Sequence, residues 1–246
     1  MFHVRTFWRM IPVSLALTAL LAAVPARAEG FFDIYFGVGL PEDGDVDVHT
    51  DDPTIDANPS FQQAYPGNSD FEWETTPSTG MRGGYWFEQT GISFIGVGLD
   101  LSYYRAYDDD DFASLDVWLT PITPLLMLRA PLGYSEDYPG GRVQPYVAVG
   151  PGFTVSAAHA DLSELGVGLD DFEDVSLDVG LDARAGLAVQ LSRHFALFGE
   201  YRYTYVEPDF DDSVDDGFGA PDFEADVDFE PELATHHIVF GASFRF

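Results

Sequence analysis

The chain has 246 residues, 46% hydrophobic and 15% aromatic, with 42 acidic residues against 11 Lys plus Arg and a formal net charge of -31. So large an acidic excess excludes nucleic acid as a partner, and the absence of cysteine excludes a disulfide framework and thiol chemistry. No second composition and no repeat at a solenoid period divides the sequence, so one domain is expected.

At the start, Arg5 and Arg9 precede the apolar run "MIPVSLALTALLAAV", and "ARA" before Glu29 supplies small residues for cleavage. Residues 1–28 therefore read as an export signal, too short in its apolar run for the roughly 20 residues that a spanning helix needs. Removing them takes Arg5, Arg9 and Arg27 and no acid, which leaves 8 arginines against 42 acids, a charge of -34, in a mature domain of residues 29–246.

Period-two segments follow. In "GFFDIYFGVGL", Phe32, Ile34, Phe36, Val38 and Leu40 share one face and Asp33, Tyr35, Gly37 and Gly39 the other. "TGMRGGYWFE" sets Met81, Tyr85 and Phe87 against Arg82, Trp86 and Glu88, and "ISFIGVGLDLSYYRAY" sets Ile95, Val97, Leu99, Leu101 and Tyr103 against Gly96, Gly98, Asp100, Ser102 and Tyr104. The fourth and fifth segments, "SLDVWLTPITPLLMLRAPL" and "RVQPYVAVGPGFTVSAA", are less regular. Pro121, Pro124, Pro145 and Pro151 each lack a ladder donor, so bulges or strand ends are expected there. The sixth is the cleanest, with Val175 to Val189 on one face and Ser176, Asp178, Asp182, Arg184 and Gln190 on the other. The seventh sets Leu197, Tyr201, Tyr203 and Tyr205 against Glu200, Arg202 and Thr204, and the eighth, "HHIVFGASFRF", sets Ile238, Phe240, Ala242, Phe244 and Phe246 against His237, Val239, Ser243 and Arg245.

Four segments between the strands, 41–78, 107–113, 159–174 and 207–233, hold 32 of the 42 acids and no arginine, and read as loops. They alternate with short turns such as "EQTG" and "LSRH". Period two alone does not separate a soluble sandwich from a barrel. The polar faces, however, are crowded with glycine and carry isolated charges of both signs, as a narrow interior would. Tyrosines and phenylalanines collect at strand ends, and long and short connections alternate. The expected fold is all-β, an eight-stranded antiparallel up-and-down transmembrane β-barrel with long loops outside and short turns in the periplasm.

With "PYVAVGPG", "GLAVQLSRHFALFGEYRYTY" and the closing "GASFRF", residues 30–246 resemble the small OmpA-type outer-membrane β-barrel proteins. In that resemblance Gly241, Phe244 and Phe246 match the signal read by the barrel-assembly machinery, although Val239 stands where the family often has a polar residue. It implies a barrel without catalytic activity that serves envelope integrity, surface contacts or slow solute passage in the outer membrane of a Gram-negative bacterium. Outer-membrane lipids are then the partners and the barrel a monomer.

The candidate functional residues lie in two places. The interior of an eight-stranded barrel is just wide enough for side chains to fill, so Arg82, Glu88, Asp100, Asp178, Asp182, Arg184, Glu200, Arg202 and Arg245 form a lumenal charge network, either as a structural plug or as the lining of a small cation-selective channel. In the loops, Asp108, Asp109, Asp110, Asp111, Asp211, Asp212, Asp215 and Asp216 offer hard oxygen ligands to loosely bound Ca²⁺ or Mg²⁺. The nearest match to a Ca²⁺ loop, beginning Asp43, Asp45, Asp47, fails, with Val48 where glycine is needed and Thr54 where a bidentate Glu should stand. No cofactor is called for. A lipid-modifying activity would need a His with a Ser or an acid. His49 sits in an acidic segment, His194 in a turn and His236 and His237 at the rim, with no serine motif beside them. Adjacent in a strand, His236 and His237 point to opposite faces and do not share a zinc ion.

Overall fold

The computed structural model describes residues 29–42, 46–50, 73–87, 92–110, 113–138, 140–161, 172–215 and 224–246. The leader and Glu88 lie outside them. Eleven strands run β1 (Glu29–Pro41), β2 (Val46–Thr50), β3 (Thr76–Trp86), β4 (Ile95–Asp110), β5 (Ala113–Arg129), β6 (Val143–Asp161), β7 (Phe172–Ser192), β8 (Phe195–Val206), β9 (Phe210–Asp215), β10 (Glu224–Pro231) and β11 (Leu233–Arg245). Eight of them close an antiparallel barrel in the order β1, β11, β8, β7, β6, β5, β4, β3. The eight are the eight alternating segments of the sequence.

The acidic segments are less loop-like than their composition implies. β2, β10 and β9 lie within two of them and pair into a three-stranded sheet. β4 and β5 stay paired from Ile95↔Leu128 to Asp110↔Ala113, so 107–113 is mostly a hairpin end and not a loop. β7 likewise begins at Phe172, inside the third acidic segment. Backbone pairing across a hairpin outweighs the poor strand preference of Asp once a neighbouring strand is already aligned.

The prolines give the second correction, since no strand ends at them and the register is unbroken. Leu101↔Ile122 and Tyr104↔Leu119 bracket Pro121 in one register, Ile122↔Phe153 and Leu126↔Val149 bracket Pro124, and Pro145 and Pro151 sit inside a continuous β6–β7 ladder. A register shift lies elsewhere, between Gln190 and Ser192 before the β7–β8 turn. Each proline removes one donor, while pairs on either side hold the strand. Beside Pro124 the facing strand carries Gly150, opposite Leu125, and a Cβ on Gly150 would lie 1.9 Å from the Pro124 carbonyl oxygen, so the absent side chain lets the two backbones close.

Register also sets the barrel's stagger. Starting at Gly39, the pairs run through His237, Arg202, Arg184, Ala148, Met127, Gly96 and Trp86, and return to β1 at Glu29, ten residues lower. Strands are therefore strongly tilted, and residues level along a ladder are not level along the axis. Outward positions are apolar and exposed, as at Phe36 (71%) and Phe240 (58%), while inward positions are buried. Aromatic pairs mark both rims, Phe195 against Phe244 at one end and Tyr103 against Trp118 at the other, each with ring centroids 5.6 Å apart. Inside, one apolar cluster contains Phe31, Trp86, Met127 and Phe198, and a second, toward the opposite mouth, contains Tyr104, Leu119, Val206 and Phe210.

The close contact at Gly150 makes a direct test. Gly150→Ala should lower the unfolding free energy by about 1–3 kcal/mol, whereas Gly83→Ala, whose Cβ would meet nothing nearer than 3.9 Å, should stay within about 0.5 kcal/mol. Denaturant titration read by the gel mobility of folded against unfolded barrel measures both.

Candidate functional site

Between the two apolar clusters lies a layer of charge. Arg184 of β7 forks onto Asp182 through Nε (2.8 Å) and Nη2 (2.7 Å), and its Nη1 donates across the lumen to Asp100 of β4 at 2.8 Å. Arg202 of β8 pairs with Asp182 at 2.7 Å and stands 3.8 Å from Asp100. On the next level, Arg82 of β3 donates Nε to Asp33 at 2.9 Å and Nη1 to Glu200 at 2.7 Å. At the mouth that carries the short turns Arg129 donates to Glu29 at 2.7 Å, and Arg245 lies 4.0 Å from the same carboxylate. Among the described residues five arginines thus face five carboxylates, Glu29, Asp33, Asp100, Asp182 and Glu200.

Neutral side chains take up part of the remaining capacity, while Asp33 Oδ1, Glu200 Oε1 and Nε of both Arg202 and Arg245 have no hydrogen-bond partner among the described residues. Tyr35 donates its phenol to Asp100 at 2.9 Å, Tyr146 donates to Glu200 at 2.7 Å, and Thr123 donates to Asp182 at 3.2 Å. The guanidinium of Arg82 stacks over Phe198 and Tyr146, and that of Arg129 over Trp86. A cavity of about 10 Å³ remains among Asp33, Trp86, Arg129 and Arg245, room for on the order of one water. The charged ends of Arg184, Arg202, Asp100 and Glu200 are out of solvent.

Seven of the nine network residues expected from sequence, Arg82, Asp100, Asp182, Arg184, Glu200, Arg202 and Arg245, line this interior. Glu88 lies outside the described residues. Asp178 does not join, because it sits above the layer, partly exposed, and accepts from Ser176 at 2.6 Å. The sequence reading missed Glu29, Asp33 and Arg129. Asp33 was visible as an inward position of the first strand, on the face shared with Tyr35. Arg129 lies on a proline-containing strand whose faces the pattern did not separate, yet it is two residues from Met127 and so on the same inward side.

The other candidates fall elsewhere. Asp108, Asp109 and Asp110 end β4, Asp211, Asp212 and Asp215 belong to β9, and Asp111 and Asp216 lie outside the described residues. His49 is in β2, not a loop. His194 bonds the Arg245 carbonyl, and buried His237 meets Thr204 at 3.0 Å. His236 faces outward between Glu42 and the Tyr201 hydroxyl, an acid, imidazole and phenol in line on the outer rim. Gly241 is fixed by packing, since a Cβ there would lie 2.5 Å from both the Ile34 carbonyl and the Phe198 ring, while Phe244 and Phe246 face outward.

Breaking the layer should be costly because it strands a partner. Arg184→Ala leaves Asp100 and Asp182 short of a counter-charge and should destabilise the barrel by about 3–5 kcal/mol. Arg105→Ala, at the half-exposed pair with Asp116, should change it by about 0–1 kcal/mol. Urea unfolding in vesicles would separate the two.

Residues 13–246 match the family model described as an outer membrane protein beta-barrel domain. Among solved structures, the chain is similar to the outer membrane protein OprG from Pseudomonas aeruginosa, at 18% identity over 88% of this chain and 96% of that one, with a TM-score of 0.50. It is also similar to the outer membrane protein AlkL, solved by solid-state NMR in lipid bilayers, at 16% identity over 92% and 94%, with a TM-score of 0.51. No curated protein matches the sequence. The likeness to solved structures is one of fold, and with the family match over nearly the whole length it places the chain in the outer-membrane β-barrel protein family.

Proposed function

We propose that this protein is a non-enzymatic, monomeric barrel of the Gram-negative outer membrane whose lumen is sealed and whose work is done at its acidic outer end. The observation that carries the reading is the balanced set, among the described residues, of five arginines and five carboxylates across the interior. Such a set is stable without mobile counter-ions, so it supports a structural plug over a permeation path. In this reading residues 1–28 are removed on export, the barrel-assembly machinery reads Gly241, Phe244 and Phe246, and the lipids of the outer membrane surround the wall.

The acid-rich outer segments then contribute envelope structure or surface contact. A loosely held Ca²⁺ or Mg²⁺ among Asp108 to Asp111 and Asp211, Asp212, Asp215 and Asp216 would join them to lipopolysaccharide phosphates, which they would otherwise repel. No other cofactor is involved.

Single-channel recording on refolded residues 29–246 in planar bilayers, with and without millimolar Ca²⁺, tests the seal. Wild type should be silent while folded, and Arg202→Ala should destabilise the barrel. Steady cation-selective openings of the wild type, reselected in Arg202→Ala without loss of stability, would establish a small cation channel instead.

A further inference from the structure

The outward row of β7 runs from Leu191 to Val175 without one polar residue. On the neighbouring strand the outward row ends in Tyr201, Tyr203 and Tyr205 and then turns to Glu207. Register pairs Tyr205 with Leu181, so Val179, Leu177 and Val175 continue beyond the last tyrosine. At roughly 3.3 Å per residue and a strand tilt near 40°, they climb on the order of 10 Å above it. They are also among the most exposed apolar side chains described, at 68%, 57% and 62%, against 46% for Leu187 in the middle of the belt. Val155 and Ala157 of β6 pair with Leu177 and Val175 and extend the strip sideways.

Other walls do not share it. Outward rows become polar at the aromatic rim, with Glu42 after Leu40 on β1, Arg105 after Tyr103 on β4 and Asp116 after Trp118 on β5. We infer that the lipid-facing belt is not level, and that acyl chains of the outer leaflet cover Val175, Leu177 and Val179, so the barrel sits tilted with its β6–β7 side deeper. Lipid is the occupant because the strip continues the lipid-facing row of the same strand with no polar break. Tilt is the ordinary response when one side of a spanning structure is longer than the hydrocarbon layer. The inference holds whether or not the lumen conducts.

The chain has no cysteine, so single spin labels are placed directly, at Leu177→Cys, at Leu187→Cys as the belt reference and at Glu207→Cys as the wet reference. The mature protein is folded into phosphatidylcholine vesicles, folding is verified by gel mobility, and collisions with oxygen and with a nickel chelate are measured. Position 177 should match position 187, open to oxygen and closed to nickel, with a ratio several-fold above that at 207. Nickel access equal to that at 207 would show a wet strip and overturn the inference. Exclusion of both reagents would also overturn it, by showing that protein and not lipid covers the strip.

Discussion

Arg184 lies fully out of water with Asp182 gripping two of its nitrogens and Asp100 reaching a third from the other side of the lumen. A guanidinium in such a place costs several kcal/mol in lost hydration unless its fork is matched by carboxylates of good geometry. That requirement propagates. Asp100 must then face inward on β4, which fixes the faces of β4, and Asp182 must be shared with Arg202, which fixes β8. Arg82 repeats the arrangement with Asp33 and Glu200, and ties β3 and β1 to the same frame. Since a slip of one residue turns every side chain to the opposite face, the ion pairs and the lipid-facing row specify the same register.

Charge is sorted by location. Residues 29–246 carry eight arginines against 42 acids, yet five of the eight are spent inside, where they meet an equal number of carboxylates. Arg142 and Arg193 lie at the short turns, and Arg105 near the opposite rim is taken by Asp116. The acidic excess is left to the segments between the barrel strands. A neutral core with a negative outer end lets the barrel hold a strong surface charge without that charge acting across the low-dielectric belt.

Much of this was legible in the sequence, and the rest was not for identifiable reasons. Strands with one apolar and one small or polar face, such as 175–190 and 236–246, declare both their conformation and their orientation. The prolines of β5 and β6 misled because the pattern counts donors, whereas the ladder needs only enough neighbours to keep alignment and a Gly150 to approach Pro124. The strands inside the acidic segments were hidden by composition, which reports solubility and not pairing. Arg129 was missed because its partner Glu29 lies across the lumen, placed there by the stagger of ten residues, a property of the closed ring that no local window contains, whereas Asp33 needed only the β1–β3 register that sets it opposite Arg82.

The stagger has a bearing on how such a wall can be made. Arg82 and Glu200 are 118 positions apart, and Arg184 and Asp100 are 84 apart, on strands that do not touch in the sheet. A β3–β4 hairpin alone would lack the Asp33, Glu200 and Arg184 partners that its Arg82 and Asp100 take in the closed ring, whereas β7 and β8 already bring Asp182 to Arg184 and Arg202. Stepwise insertion is therefore disfavoured by the same side chains that later lock the ring. The full set of interior ion pairs exists only in the closed ring, whose ends of chain meet at the seam between β1 and β11.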